Sequence, residues 1–426
     1  MGIAQFKTFA ALRHQNFRRF YAGQTISVMG SWMQSVALSW LVLVLTDSAF
    51  YLGLVSALQT LPILIFSFLG GVVADQARKH HLLYLTQGGM MVVAVILGFL
   101  VAADLVSIWV LCGLVFLAGT ALAFDIPIRQ AFIVELVGKN DLPNAIALNS
   151  TMFNGTRVMG PAVAGLLIAS VGLANCFFIN ALSFLAVLLA LFWIELPPPE
   201  APPRISVREA LRELRDFVKE NQDLKLILIL MTAVSILGHS YHVLVPILAR
   251  EVLGTGPEGF GFLMAVSGLG AFLGGLALAR RLTRRPPMPS FLGGLGLFLA
   301  GLLALSLCRN YYLALGAMAL IGFGIVTQLS TGNSLLQLNV PDQMRGRIMS
   351  LFSLIIIGSV PFGSMLYGTV ATFLGPSLSL TLGSLSAAAV SGYILLRYPS
   401  LRHMDFKGLE PPAAAPLPPR VTPPVG

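Results

Sequence analysis

Charge is what this chain has least of. Only 11% of its 426 residues are Asp, Glu, Lys or Arg, against roughly 25% in soluble globular domains, and 56% are apolar, so packing as a soluble domain is disfavoured. Cysteine is almost as scarce. Cys112, Cys176 and Cys308 are odd in number, dispersed and set within apolar runs, which argues against a disulfide framework and a metal-ligand cluster and leaves them as packing residues. No Gly-x-x-x-x-Gly-Lys-Ser/Thr phosphate loop occurs, so an ATP-driven pump is disfavoured. His-Glu-x-x-His is absent too, and Asp125 is the one acidic residue placed deep inside an apolar run, so an intramembrane protease lacks its carboxylate dyad. Neither enzyme, metal nor cofactor is expected.

What is present is a succession of long apolar runs. A bilayer core about 30 Å thick needs about 20 mostly apolar residues per helix, and the chain supplies twelve such spans near 21–45, 50–73, 82–103, 107–136, 143–171, 173–194, 224–250, 259–279, 291–307, 311–338, 348–373 and 377–396. The expected fold is therefore an all-α, multi-pass membrane protein. The first run is too long for a signal peptide, carries Gln24 and Gln34, and lacks a convincing cleavage site, so it reads as the first span. The net charge of +9 invites a nucleic-acid reading, but the cations fall in alternate loops. With the N-terminus placed in the cytoplasm, all Lys and Arg residues lie on the inner side except Arg250 and Arg309 outside and Arg129 and Arg157 within spans. That is the positive-inside pattern of a cytoplasmic (plasma or inner) membrane protein with both termini cytoplasmic.

The chain divides into a cytoplasmic segment 1–20, a six-helix half 21–196, a linker 197–223, a second six-helix half 224–397 and a cytoplasmic Pro-rich tail 398–426. Within the linker a Pro-rich stretch precedes Ser206-Val207-Arg208-Glu209, a capping box that opens a charged, amphipathic helix to about Gln222, read as a connector on the inner membrane surface. Residues 411–426 are expected to be disordered. Two repeats support the division. Gly70-Gly71 through Arg78-Lys79 matches Gly274-Gly275 through Arg280-Arg281, and Val137-Gly138 through Ala145-Ile146 matches Val340-Pro341 through Arg347-Ile348, at the same place in each half.

Two parallel six-helix halves are characteristic of the major facilitator superfamily. Gly71-Val72-Val73-Ala74-Asp75 followed by Arg78-Lys79 resembles its signature loop, departing from it at Gln76 and Ala77. Gly160-Pro161-Ala162-Val163-Ala164-Gly165 resembles the glycine-proline motif of exporters, with Ala164 in place of one glycine. The stretch from Phe124-Asp125-Ile126-Pro127-Ile128-Arg129 to Asn144-Ala145-Ile146-Ala147-Leu148-Asn149-Ser150, with Gly30-Ser31-Trp32-Met33-Gln34, resembles the branch of enterobactin-exporter-like and macrolide-efflux transporters. The resemblance runs to about Arg397. It implies a monomeric secondary transporter that exports a siderophore-like or drug-like organic solute by alternating access, with protons as the coupling partner. A passive channel or lipid-translocating protein is the alternative.

Charges are costly in hydrocarbon, so the ionisable residues within spans are candidate sites. At 1.5 Å per residue, Asp125, Arg157 and His239 lie about 17, 21 and 22 Å from the inner ends of spans four, five and seven, a common depth near the midplane. Asp125 is the expected proton site with Arg157 as switchable partner and His239 as substitute; the plainer alternative is that Asp125 pairs with Arg129 at i,i+4. His239 and His242 titrate near neutrality or, alternatively, are hydrogen-bonded within the bundle. Gln24, Ser27, Ser31 and Gln34 form a polar stripe on span one, and Thr327, Thr331, Ser334 and Gln337 another on span ten. These either line a substrate cavity, together with Arg129, Asn154 and His242, or hold helices together. The inner gate is expected at Gly71, Asp75, Arg78, Lys79 and Glu135, with Gly160 and Pro161 also in gating. Asp75 faces the N-terminus of span eleven, and Arg78 reaches Glu135.

Overall fold

The computed structural model describes residues 7–76, 78–194, 207–281 and 287–403. All secondary structure among them is helical. After a short 3-10 helix at Lys7–Arg13 come α1 (Gln15–Thr46), α2 (Ala49–Gln76), α3 (Lys79–Ala102), α4 (Ile108–Val171) and α5 (Leu173–Phe192), then the linker helix α6 (Val207–Glu220). The second half comprises α7 (Gln222–Leu237), α8 (Val245–Ile247), α9 (Pro257–Arg281), α10 (Pro287–Leu307), α11 (Tyr311–Leu338), α12 (Asp342–Gly358), α13 (Val360–Leu374) and α14 (Pro376–Arg397).

Ten stretches among the described residues are long and apolar enough to cross a membrane. Two stretches of helix hold more chain than one crossing uses. The 64 residues of α4 would run about 96 Å if straight, and they bend back at Gly138, whose φ of 68° lies in the left-handed region open to glycine. The last stretch, Met344–Arg397, is interrupted after Leu374 at Gly375, with φ 79°. Leu85, Phe99, Phe192, Phe373 and Tyr393 are each more than 60% exposed, a pattern costly in water and natural against lipid.

Lipid gives helices no hydrophobic reason to associate, so small residues and close backbone contact hold the bundle. Gly70 of α2 packs on Ala123 and Phe124 of α4, and its sequence-repeat counterpart Gly274 of α9 packs on Phe323 and Thr327 of α11. Around the loops that carry most Lys and Arg, here termed the basic end, Phe17, Phe20, Phe132 and Leu191 are buried in a separate core, with Phe20 and Phe132 edge to face at 5.2 Å. The linker helix starts at Val207, as its sequence implies, while the capping residue Ser206 lies outside the described residues, as do 411–426. Leu214, Phe217 and Val218 turn one face of this helix onto the main core, and Glu213 pairs with Arg347 of α12.

One expected span is not a continuous helix. Span seven, read as 224–250, stops at Gly238 and continues as a 3-10 turn (His239–Val243), the short α8 and a π turn at Leu248–Val252. The physical reason lies at the first break. Tyr241 N bonds to Gly238 O in 3-10 fashion, so the Leu237 carbonyl loses its helical donor, and the hydroxyl of Tyr367 on α13 donates to it at 2.6 Å.

Candidate functional site

Three places carry the polar side chains of the bundle. The first is enclosed within the amino-terminal half. Asp125 is 1% exposed on α4, and its Oδ1 accepts from Thr86 Oγ1 at 3.1 Å and Gln87 Nε2 at 2.7 Å, both on α3. Its Oδ2 lies 3.5 Å from Arg129 Nε one turn along α4, and that guanidinium also sits over the Phe153 ring at 5.4 Å. A carboxylate taken out of water needs this combination of a counter-charge and hydrogen-bond donors. The plainer alternative for Asp125 is thus the arrangement seen. Arg157 forms no ion pair with it here.

Arg157 belongs to a second cluster that spans both halves. Its carbonyl abuts Gly268 of α9 so closely that a Cβ there would come within 2.9 Å. The neighbouring Ser267 hydroxyl meets Tyr241 OH at 3.2 Å, and His239 and His242 lie on the same turn as Tyr241. That turn is the break after α7. His239 Nε2 is 3.2 Å from Gln328 Oε1 on α11 and its Nδ1 is 3.3 Å from Ser235 Oγ, an assignment that puts the proton on Nε2. His242 Nδ1 lies 3.1 Å from the His239 carbonyl, so it donates there and leaves Nε2 unused. Its neighbour Ser240 is fully buried beside Gly363 of α13.

The third place is the contact between halves. A Cβ on Gly368 of α13 would come within 2.7 Å of Ala49 O on α2, Gly53 abuts the Ser364 carbonyl, and Ser56 and Ser364 share a hydrogen bond of 3.0 Å. On the other flank a Cβ on Gly165 of α4 would lie 2.8 Å from Pro257 O of α9, and one on Gly261 2.5 Å from Pro161 O. Asp47, left-handed at φ 48° after α1, pairs with Arg250 of the π turn, and Trp40 stacks on Phe260 with centroids 6.1 Å apart. Among the described residues these contacts lie towards the end opposite the basic loops, and with Leu64 against Gly358 they reach to mid-bundle.

The remaining expected residues fall as follows. Gln24 and Ser27 are buried, with Gln24 Oε1 unpartnered; Ser31 is exposed, and its hydroxyl bonds to the Ser27 carbonyl. Gln34 accepts from Asn180 of α5 at 2.6 Å, so it ties helices together within one half. Thr327 and Thr331 are buried with unpartnered hydroxyls, Ser334 bonds back to Ser330 O, and Asn154 bonds back to Ser150 O. Gly160 packs on Trp32 of its own half, whereas Pro161 lies on the cross-half contact. At the basic end one pairing is corrected. Lys79 Nζ, not Arg78, reaches Glu135 at 2.7 Å, because Arg78 is the exposed residue capping α3 and Lys79 begins the helix face turned to α4. Gly71 has open space around a Cβ, and the Asp75 side chain lies outside the described residues. Sequence reasoning missed Thr86, Gln87, Gln328, Tyr241 and Tyr367. The first three were legible as polar residues in apolar runs; the two tyrosines pass as ordinary interface aromatics.

Comparison with known proteins adds the family. Residues 6–422 match the family described as transmembrane secretion effector. Relatives include the staphyloferrin A transporter of Staphylococcus aureus, 26% identical over 87% of this chain and 94% of its own, and the multidrug efflux pump Tap of Mycolicibacterium fortuitum, 26% identical over 88% and 94%. The enterobactin exporter EntS of Shigella flexneri is 27% identical over 91% and 93%. Among solved structures, a bacterial homologue of the human lysosomal transporter Spinster superposes with a TM-score of 0.73 at 15% identity, covering 96% of this chain and 100% of that one. The nucleoside transporter NupG gives 0.71 at 12% identity, covering 90% and 99%. The helical bundle, the family match and these likenesses agree: the chain belongs to the transmembrane secretion effector family of the major facilitator superfamily, a family of membrane transporters and not of enzymes.

Proposed function

We propose that this protein is a secondary active transporter that exports a siderophore-like or drug-like organic solute across the cytoplasmic membrane by alternating access, in antiport with protons. The observation that carries this reading is the asymmetric contact between halves. Glycine-mediated seams join α2 to α13 and α4 to α9 towards one end, while the polar clusters lie deeper in the bundle. With the basic loops in the cytoplasm, both termini are cytoplasmic, twelve helices cross, and the seams seal the outer face, so the arrangement is inward-facing. Rocking the halves apart at the seams would open the opposite face around the same clusters. The names of the staphyloferrin, enterobactin and multidrug relatives support the direction and the solute class.

Asp125 is the proposed proton site. Its buried carboxylate is stabilised as the anion by Thr86, Gln87 and Arg129, and a conformational change that withdraws Arg129 would favour its protonation. Arg129 is thereby the immediate partner, with Arg157 committed to the cross-half cluster. The protein needs no cofactor and works as a monomer.

Inside-out vesicles energised to an acid interior and loaded with a pH dye provide the test. Addition of a panel of siderophores and lipophilic drugs should collapse the pH gradient for at least one solute, and that solute should accumulate inside until a protonophore is added. Solute movement that never exceeds equilibration would instead indicate a channel, because a channel cannot accumulate solute against its gradient.

A further inference from the structure

Two buried oxygens of the amino-terminal cluster, Asp125 Oδ2 and Gln87 Oε1, have no hydrogen-bond partner among the described residues. They belong to side chains already in contact. Gln87, 2% exposed on α3, donates from Nε2 to Asp125 Oδ1 at 2.7 Å, while Thr86 Oγ1 lies 3.1 Å from the same Oδ1 and 3.3 Å from the Leu83 carbonyl of its own helix. Arg129 stands 3.5 Å from Oδ2, an ion-pair distance rather than a hydrogen bond. The ionised carboxylate thus has donors at one oxygen and a charge beside the other.

The orphan on Gln87 is an acceptor, and an ionised carboxylate has no hydrogen to give it. The acid form does. A protonated carboxyl carries one O–H, which needs an acceptor in a bundle interior, and Gln87 Oε1 is the buried acceptor standing idle beside it. The terminal torsions of Asp and Gln side chains are broad, so turning the two planar groups edge to edge can set Oε1 opposite Oδ2 while the existing bond is kept.

From this we infer that Gln87 is the partner of the transported proton: when Asp125 is protonated, Oδ2–H donates to Gln87 Oε1 and Gln87 Nε2 continues to donate to Oδ1, closing a cyclic acid–amide pair. The inference rests on the reading of Asp125 as the proton site and adds the residue that holds the proton there. The proton comes from water at the Arg129 edge of the cluster, where that side chain is 12% exposed, and no other bond breaks. Arg129 then loses its counter-charge and keeps the Phe153 ring at 5.4 Å. An amide suits the role because one planar group both donates and accepts, so the cluster is satisfied with Asp125 ionised or neutral.

Among the described residues, Arg129 is the one charged group the structure sets against Asp125. The helices packed on α4 keep their Asp, Glu, Lys, Arg and His residues near their ends, and α5 has none. Tyr84, the titratable residue of α3 nearest in sequence to Thr86, turns to His80 with ring centroids 5.1 Å apart. Arg157, on the returning limb of α4, forms no ion pair with Asp125.

Infrared difference spectroscopy on the full-length protein in liposomes, acid minus alkaline, tests the pair. Glutamine carries a carbon isotope in its side-chain carbonyl, which separates that stretch from the backbone. On acidification a protonated-carboxyl band should appear and one glutamine carbonyl band should move to lower frequency as it gains a donor. Asp125→Asn should lose both changes. In Gln87→Met the glutamine shift should vanish and the carboxyl band should persist at higher frequency, whereas Gln222→Met, at the exposed start of α7, should alter neither. A glutamine that only braced the helices would accept from no donor in either state, so its band would not follow pH. An Asp125-dependent carboxyl band with no glutamine shift, or a shift that survives in Gln87→Met, would overturn the acid–amide pair and leave Asp125 as the proton site. Absence of that carboxyl band at every pH where the protein stays folded would overturn both. Should Gln87→Met not fold, Asp125→Asn decides the matter, because Gln87 is the glutamine in contact with Asp125. Solute accumulation by the native protein in energised vesicles is read separately, so the transporter reading stands or falls on its own.

Discussion

At the scale of single residues, the decisive quantity is the cost of leaving a charge buried without its partner. Arg129→Gln strands Asp125, 1% exposed, with only two neutral donors, and such a loss costs about 3–5 kcal/mol. Asp125→Asn is milder, because an amide oxygen can still accept from Thr86 or Gln87 and Arg129 retains the Phe153 ring. Thermal unfolding in detergent should therefore show a larger loss for Arg129→Gln than for Asp125→Asn. In vesicles the order reverses in kind: Asp125→Asn should lose proton-driven accumulation while still exchanging solute across the membrane. An Asp125→Asn protein that accumulates solute as well as the native one would remove Asp125 from the coupling. The pairing with Arg129 was legible from its i,i+4 spacing. The donors from α3 were not, because no local pattern in the sequence says which face of α3 meets α4.

At the scale of elements, the broken helix after α7 and the glycine seams matter most. Tyr367→Phe removes the donor from the Leu237 carbonyl and leaves a buried acceptor unpaired, a cost of roughly 1–3 kcal/mol. A lower unfolding midpoint with a normal elution profile is the expected result. The break was invisible in the sequence, since 224–250 reads as one apolar run and a single Gly238 is no reason to end a membrane helix. Its cause is tertiary, in the α13 tyrosine that takes the freed carbonyl. At the seams, the Asp47–Arg250 pair joins an aspartate that is 73% exposed, and exposed pairs contribute about 0–1 kcal/mol. Backbone contact at the glycines should outweigh it. Gly368→Val should thus hold the outer face open, raising labelling of a cysteine at Ser56 by a membrane-impermeant maleimide, whereas Asp47→Asn should raise it by at most a few fold. Equal labelling in both variants would shift the closing force from packing to charge.

At the scale of the whole molecule, the class of protein was readable from the scarcity of charge and the alternation of basic loops, because both follow from the bilayer as solvent. The family was readable from local motifs. The contact between halves was not: glycines at 53, 165, 261 and 368 have the same composition as the many that pack within one half, and only the fold distinguishes them. The central claim is that the two ends open in opposition. Distances between spin labels test it most directly, with the native cysteines replaced and pairs placed at Leu105 and Tyr312 for the end with the seams and at Ile146 and Leu338 for the basic end, all exposed positions on different halves. In the reconstituted protein the first pair should give a short distance and the second a long one, and a change of pH should populate a second state in which the first lengthens as the second shortens. Two distances that stay fixed, or that lengthen together as in a pore dilating, would contradict alternating access.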